Sequence, residues 1–335
     1  PGPFGARTRP VHAHDNGRFG VVVPWNAACV GSGTVTYGAM AWRFLETDFR
    51  LKTHYGEIPD ASVEDWPITY NDLEPFYDQA EYEIGVAGSN AGNPFAAPRR
   101  RGFPMPPFPL NEESKRVWAA GEKRGLHPFH VPFLRNSVPY NGRPACIHQR
   151  SCVGHRCPID AKCGTQNTVI PVALASGNCE LRIRAMVTGL RVDDAGKLRG
   201  VTYVDENDEV HEVDAKVVVL ALGSNATARL LLTSTSKLFP HGAGRNITSH
   251  AYVDARGFVD DDIYEEAGPG CGVAFMDYSH DNPGFICGGV LHTDFVFSPS
   301  IFAQGAFPGV PRWGRANKDS IRSHYRRMFR ICGPH

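Results

Sequence analysis

The sequence predicts a mixed α/β (α+β) fold in which an antiparallel sheet accompanies helices and part of a covered sheet. Alternating apolar residues over positions 187–213, interrupted by polar turns, are typical of an antiparallel meander. Residues 217–222 are apolar on both faces, as in a strand that helices cover on both sides. Such a strand needs parallel neighbours, and only the short apolar run at 21–23 resembles one. We therefore expect part of a dinucleotide-type domain whose opening βαβ unit is missing.

Two helices are predicted ahead of the meander. The first begins at Asn71, which caps it together with Glu74 in a capping box, and it ends near Gly85. Its apolar stripe consists of Leu73, Tyr77, Ala80 and Ile84. The second helix is predicted over residues 112–123. Six prolines exclude regular structure from much of residues 86–110, which lie between the two helices.

Further elements flank the covered strand. Leu181 and Ile183 indicate a strand ahead of the meander. Gly223 ends the covered strand, and a helix over residues 226–234 follows, with Ser224 or Asn225 as its cap. The remaining strand-like pieces are residues 251–259 and 290–297.

The charge balance argues against two classes of partner. Among 335 residues, 35 Lys and Arg balance 35 Asp and Glu, so no net field attracts nucleic acid or an anionic membrane. No run reaches the roughly 18 apolar residues of a membrane helix, so no transmembrane segment is predicted. The sequence does not indicate a compartment. We interpret the basic run Arg99, Arg100 and Arg101 as solvated or interfacial rather than as an anion-docking site.

A stretch of small residues, 27–38, contains the start of a phosphate-loop pattern. Gly31, Ser32, Gly33 and Thr34 open a G-x-G-x-x-G motif, but Thr36 stands where the third glycine belongs. The stretch therefore fails as a dinucleotide fingerprint. Two interpretations stay open, namely a plain glycine-rich turn or backbone N–H groups that approach an anionic or planar ligand.

Several short sequence motifs in the chain occur in the same order as in one enzyme family. They include Met40-Ala41-Trp42-Arg43-Phe44, Gly142-Arg143-Pro144-Ala145-Cys146, Asp160-Ala161-Lys162 and Ala221-Leu222-Gly223-Ser224. Over about residues 25–330 the sequence resembles the glucose-methanol-choline (GMC) flavoprotein oxidoreductases, and most closely the branch of gluconate 2-dehydrogenase large subunits. The resemblance implies an incomplete FAD-binding Rossmann-like domain interleaved with an antiparallel-sheet substrate domain.

The resemblance also nominates residues that contact FAD. They are Gly31, Ser32, Gly33 and Thr34 in the small-residue stretch, Val187 in a strand, and Gly223 with Ser224 after the covered strand. It divides the chain into four segments. These are 1–50 and 179–250 of the FAD domain, 51–178 with helices, loops and a cysteine cluster, and 251–335 of the substrate domain.

The function implied by the resemblance is FAD-dependent oxidation of a CH–OH group in a sugar, sugar acid or other alcohol, with hydride transfer to the flavin. The family's phosphate loop and catalytic His pair do not align with this sequence, so we expect them before residue 1 and after residue 335. No catalytic residue is named, and His250 is interpreted as structural. We expect residues 1–335 alone to be inactive and to bind FAD weakly.

Cysteines are concentrated in one short region. Cys146, Cys152 and Cys157 follow the spacing C-x5-C-x4-C, and Cys163 comes shortly after. Such spacing suits an iron–sulfur cluster, but a disulfide, unmodified thiols and, less well, zinc stay open. In membrane-associated relatives of the resembled family, three cysteines hold a cluster that passes electrons to a cytochrome subunit. The alternatives to an FAD enzyme are therefore an iron–sulfur electron-transfer subunit or a non-catalytic remnant.

Overall fold

The fold was obtained as a computed structural model. It describes residues 11–15, 18–22, 27–149, 152–234, 242–245, 252–263, 270–294, 309 and 312–334. The chain divides into two compact units. The first unit comprises Pro1–Arg7, Asn26–Val172 and His250–His335, and the second comprises Thr8–Trp25 and Ala173–Ser249.

The described elements are short and mostly separated by long connections. The helices are α1 (Leu51–Tyr55), α2 (Tyr70–Ile84), α3 (Glu112–Lys123), α4 (Val169–Ala175), α5 (Ser224–Thr233) and α6 (Gly314–Arg327). Three 3-10 helices cover Ser32–Val35, Thr47–Phe49 and Thr165–Asn167. The strands are β1 (Val11–Asp15), β2 (Arg18–Val22), β3 (Phe129–His130), β4 (Met186–Val192), β5 (Leu198–Val204), β6 (Val210–Asp214), β7 (Tyr252–Phe258), β8 (Val273–Phe275), β9 (Leu291–Thr293) and β10 (Met328–Pro334). No helix in the described part of the chain is long and apolar enough to cross a membrane.

The first unit is built around a five-stranded antiparallel sheet with the order β3-β8-β9-β10-β7. His292 of β9 lies at the centre, opposite Ala274 of β8 and Cys332 of β10. Helix α3 packs on this sheet through Gly121, where any Cβ would collide with the ring of Phe275. The core beside the sheet includes Ala87, Met105, Phe129, Val131, Phe133, Cys271 and Ala274.

Helix α2 begins two residues earlier than its sequence cap suggested. Thr69 is the N-cap, and it forms the capping box with Asp72. The prediction of a box between Asn71 and Glu74 is wrong, because the Glu74 carboxylate turns inward. There it accepts the backbone N–H of Arg100 at 2.9 Å.

One face of α2 carries three buried carboxylates that bind arginines. Arg43 places two guanidinium nitrogens on Glu81, at 2.8 and 2.9 Å, and a third interaction joins it to Glu74 at 3.3 Å. Arg99 shares Glu81, and Arg101 pairs with Asp78 at 2.6 Å. Residues 99–101 therefore bind helix α2 through ion pairs with its carboxylates. The interpretation as solvated or interfacial charge is wrong for Arg99, whose side chain is only 10% exposed, whereas the side chains of Arg100 and Arg101 remain half or more exposed.

The second unit contains the predicted antiparallel meander, in the order β4-β5-β6. Helix α5 packs against β4, and the backbone N–H of Leu190 donates to the Ser234 hydroxyl at 3.1 Å. A two-stranded antiparallel sheet of β1 and β2 completes the described elements of this unit. The meander confirms that period-two alternation with polar turns identifies antiparallel strands.

The prediction of a covered strand at residues 217–222 is wrong. No strand forms there, and Val217 and Val219 are 76% and 82% exposed. An apolar run becomes a strand only where neighbours accept its backbone hydrogen bonds, and none of the described strands pairs with it. Leu181 and Ile183 are likewise exposed and outside any strand.

Other sequence expectations hold more closely. Helix α3 coincides with the predicted 112–123, and residues 86–110 contain no helix or strand. Helix α5 starts at Ser224 with Gly223 as its N-cap, so neither predicted cap residue caps it. Strand β7 lies within the expected 251–259, and β9 is shorter than the expected 290–297, of which 295–297 fall outside the described residues. His250 also falls outside them.

We predict that Arg43→Met lowers the free energy of unfolding by about 3 kcal/mol, because it leaves the buried carboxylates of Glu74 and Glu81 with one partner fewer. Urea unfolding would measure the loss. Lys52→Met is the matched control, since Lys52 pairs with Glu64 at the surface and its loss should be undetectable. Equal losses in the two variants would contradict a structural role for the network.

A second prediction concerns acid stability. Burial lowers the pKa of His292 in the folded state. Below a pH of about 6.5, this imidazole is therefore protonated more fully in the unfolded state than in the folded state. The free energy of unfolding should therefore fall with decreasing pH, by at most about 1.4 kcal/mol per pH unit for this group. Urea unfolding between pH 7.5 and 5.5 should show a smaller fall for His292→Gln than for the unchanged protein. Parallel pH profiles would exclude His292 as a source of acid sensitivity.

Candidate functional site

The small-residue stretch turns sharply at Gly31. Gly31 has φ 93°, and a Cβ there would collide with the Gln166 amide and come within 2.8 Å of Val35. Only glycine tolerates this combination of positive φ and close packing. Gly31 is buried, whereas Ser32 and Gly33 are exposed at the start of the following 3-10 helix. The chain thus holds one residue inside and presents the next two at the surface.

A second 3-10 helix, Thr165–Asn167, supports this turn. The backbone N–H of Thr165 donates to the Thr34 hydroxyl at 3.0 Å, and that hydroxyl donates to the Gly31 carbonyl. The Gln166 side chain lies between Gly31 and Gly164. Sequence reasoning missed residues 164–167. Their cluster of small and amide residues after Lys162 is the only local signal.

The cysteine loop, residues 146–149 and 152–157, lies beside the same stretch. The backbone N–H of Gly154 donates to the Thr36 carbonyl at 2.7 Å. Lys162 joins the two segments more firmly, because its ammonium donates to the carbonyls of Tyr37 at 3.2 Å, Cys152 at 2.9 Å and His155 at 2.8 Å. The stretch and the cysteine loop therefore form one site.

Lys162 is almost completely buried, with 3% of its surface exposed. Burial lowers the pKa of Lys162 to about 8, and the charge of Arg135 adds to that effect while Cys152 and Cys157 oppose it. The three carbonyl acceptors favour the charged form. With a pKa of about 8, the Lys162 amine is mainly protonated at neutral pH.

Arg135 is the second buried cation of this site. Its side chain is fully buried, and Nη2 donates to the Gly38 carbonyl at 3.2 Å. Nε and Nη1 have no hydrogen-bond partner among the described residues. The guanidinium carbon lies 4.7 Å from the ring centre of Phe133 and 5.7 Å from that of Phe108. The nitrogen atoms Nε and Nη1 are thus buried without a hydrogen-bond acceptor in the described part of the chain.

The nine cysteines are all free thiols, so the disulfide alternative is not realised in this structure. Among the described residues, no three cysteine sulfurs lie within 4.8 Å of one another, which excludes a preformed single-ion zinc site. An iron–sulfur cluster spreads its ligands over several irons, and that alternative stays a prediction. Burial raises the pKa of the Cys146 thiol, while the His148 N–H and the charge of Arg135 lower it.

Cys163 differs from the other three cysteines of the cluster. It is fully buried, Arg143 donates to its sulfur at 3.0 Å, and the Tyr37 hydroxyl donates to its carbonyl. Burial raises the pKa of its thiol. These contacts make Cys163 a packing residue, which leaves Cys146, Cys152 and Cys157 as the candidate ligands.

The remaining predicted residues lie in the second unit. Val187 is in β4 opposite Tyr203, and Gly223 caps α5 with φ 76° and open space where a Cβ would lie. No side chain caps the N-terminus of α5, which begins at the exposed Ser224. The seven predicted cofactor residues are thus divided between the units, four in the first and three in the second. Their contact with one cofactor stays a prediction.

The second unit also contains a cluster that the sequence analysis did not identify. Ligand atoms of Asp205, Glu209 and His211 lie within 4.8 Å of one another at the β5–β6 hairpin. Their alternating positions around the turn are the only sequence signal. Asp205 accepts from His211 at 2.9 Å and from two backbone N–H groups, which explains the cluster as a turn structure.

Comparison with known proteins identifies relatives of the chain. The family description GMC oxidoreductase matches residues 59–252, more than half of the chain. A 6'''-hydroxyparomomycin C oxidase from Streptomyces lividus is 32% identical, over 80% of this chain and 51% of the relative. The fructose dehydrogenase large subunit of Gluconobacter japonicus is 31% identical, over 66% of this chain and 41% of the relative. The gluconate 2-dehydrogenase flavoprotein of Pantoea cypripedii is 26% identical, over 88% of this chain and 54% of the relative.

The fold has a counterpart among solved structures. A formate oxidase from Aspergillus oryzae RIB40, studied for modification of its FAD, superposes with a TM-score of 0.58 at 12% identity, covering 98% of this chain and 62% of that one. The chain spans about half the length of the curated relatives it matches. The family match over residues 59–252 confirms the resemblance found in the sequence, and the chain belongs to the GMC oxidoreductase family.

Proposed function

We propose that the protein is an FAD-dependent oxidoreductase that oxidises a CH–OH group of a sugar, sugar acid or other alcohol. The observation that carries the proposal is the small-residue turn at Gly31, which presents Ser32 and Gly33 at the surface of a chain of this family. The names of the relatives support a hydroxylated substrate, since they describe enzymes of 6'''-hydroxyparomomycin C, fructose and gluconate.

The residues present fit a flavin nucleotide in two places. A Cβ at Gly33 would meet nothing within 4 Å, so the backbone is open to a planar ring. The uncapped N-terminus of α5 offers backbone N–H groups and the positive end of the helix dipole, which suit a phosphate. Both features would contribute binding without any charged side chain.

The roles of the chain's own residues follow from this arrangement. FAD, when bound, supplies the group that accepts hydride from the carbon bearing the hydroxyl. Gly31 fixes the turn, Ser32 and Gly33 would contact the flavin, and Thr34 holds the turn through the Gly31 carbonyl. Val187, Gly223 and Ser224 would contact the nucleotide part. In this proposal these residues would bind and orient the cofactor, and none of them is assigned as the proton acceptor.

A second candidate function is electron transfer through an iron–sulfur cluster at Cys146, Cys152 and Cys157. Two buried cations without carboxylate partners, Arg135 and Lys162, favour it, because an anionic cluster would neutralise them. A fructose dehydrogenase large subunit among the relatives supports a partner subunit that accepts electrons. The two functions are compatible in one protein.

The test of FAD binding uses Gly33→Leu in the full-length protein. A leucine there should block approach to the exposed backbone and reduce bound flavin about tenfold, without a change in melting temperature. The flavin absorption of the purified protein, divided by protein concentration, measures the loss.

Gly102→Leu is the matched control, because Gly102 also has open space around its Cβ position and lies outside the site. Flavin content should be unchanged in this variant. Full flavin occupancy in Gly33→Leu would show that Gly33 does not contact the cofactor. The proposed function would be overturned if the unchanged protein contained no flavin after purification and bound none when FAD was added.

A further inference from the structure

Two buried positive charges lie together in the site without a negative partner. Arg135 and Lys162 face each other across an isolated antiparallel bridge. Neither side chain forms an ion pair with a carboxylate in the described part of the chain. The nearest carboxylate in sequence to Lys162, that of Asp160, pairs with Arg156 instead, at 3.6 Å.

The contrast with Arg43 shows how unusual this arrangement is. Arg43 is also buried, but Glu74 and Glu81 supply compensating charges. An isolated buried cation costs several kcal/mol, and two adjacent ones also repel each other. Such a pair persists in a stable site when a further negative charge completes it.

The groups beside these cations are thiols and a phenol rather than carboxylates. The charge of Arg135 acts on Tyr37, Cys146 and Cys163. The Lys162 ammonium donates to the Cys152 carbonyl at 2.9 Å and to the carbonyl of His155, two residues before Cys157, at 2.8 Å. Tyr37 is half-buried and donates to the Cys163 carbonyl, and Cys163 is fully buried, so Cys146, Cys152 and Cys157 are the groups that we expect to carry negative charge.

The alternatives for these cysteines differ in charge. Neutral thiols and a disulfide both leave Arg135 and Lys162 uncompensated. Thiolates that ligate a metal centre are deprotonated outright, and an iron–sulfur centre with thiolate ligands has a net negative charge. Only this last form balances the two cations.

We propose that Arg135 and Lys162 are positioning residues that compensate the charge of an iron–sulfur centre held by Cys146, Cys152 and Cys157, and thereby raise its reduction potential. The inference rests on the second candidate function above. Reduction adds one electron to a ferric iron and makes the centre more negative, with no bond broken and no proton required. Two nearby cations favour that reduced state.

The experiment is a redox titration of the full-length protein after anaerobic reconstitution with ferrous iron and sulfide. Dithionite supplies the electron, and the EPR signal of the centre reports its oxidation state. Arg135→Met and Lys162→Met should each make reduction about tenfold less favourable, which is about 59 mV for one electron. Arg135→Lys, which keeps the charge, should restore most of the potential.

Arg43→Met is the matched control, because it removes a buried cation from helix α2 and leaves the cysteine loop untouched. Its potential should equal that of the unchanged protein. Should Arg135→Met fail to fold by circular dichroism, Lys162→Met alone decides the question, and iron and sulfide content is the second readout.

The outcomes separate the two claims. A centre that forms in the unchanged protein, with the same potential in every variant, would overturn the charge-compensation role and leave the second candidate function standing. Absence of iron and sulfide after reconstitution would overturn both. In either case the FAD proposal is unaffected, since flavin content is measured independently.

Discussion

The site depends on one ammonium group. Three backbone carbonyls converge on the side chain of Lys162, one from the small-residue stretch at Tyr37 and two from the cysteine loop at Cys152 and His155. These carbonyls are inside the protein, where an unmet acceptor is costly. A single side chain therefore determines how two segments, over a hundred positions apart in the sequence, lie against each other.

The first unit contains two kinds of buried cation, those that pair with carboxylates and those that do not. Around helix α2, carboxylates at positions 74, 78 and 81 meet arginines directly, and the network is complete within the protein. Beside the cysteine loop, Arg135 and Lys162 contact backbone carbonyls and aromatic rings, and neither pairs with a carboxylate in the described part of the chain. The complete network stabilises the scaffold. The incomplete one is where we propose that a negatively charged group binds.

Local signals in the sequence predicted local structure well. Helix α3, the meander and the proline-rich connection all follow from periodicity and breakers within a few residues. The errors arose where distant residues decide: Arg100 and Arg43 take Glu74 away from the helix cap, and residues 217–222 find no paired strand. In the candidate site, the glycines were identifiable from the composition of the small-residue stretch and from the short motifs that the chain shares with the family. The role of Lys162 in connecting the small-residue stretch to the cysteine loop was not identifiable, because its partners are backbone carbonyls, which every residue type has.

The contact of Gly121 with Phe275 has a consequence for how this scaffold can diverge. Helix α3 approaches the sheet so closely that one methyl group at position 121 would push it away. Homologous chains that acquire even an alanine there must shift the helix or shrink the opposing aromatic ring. The two positions are therefore expected to change together over evolutionary time, while the exposed face of the same helix drifts freely.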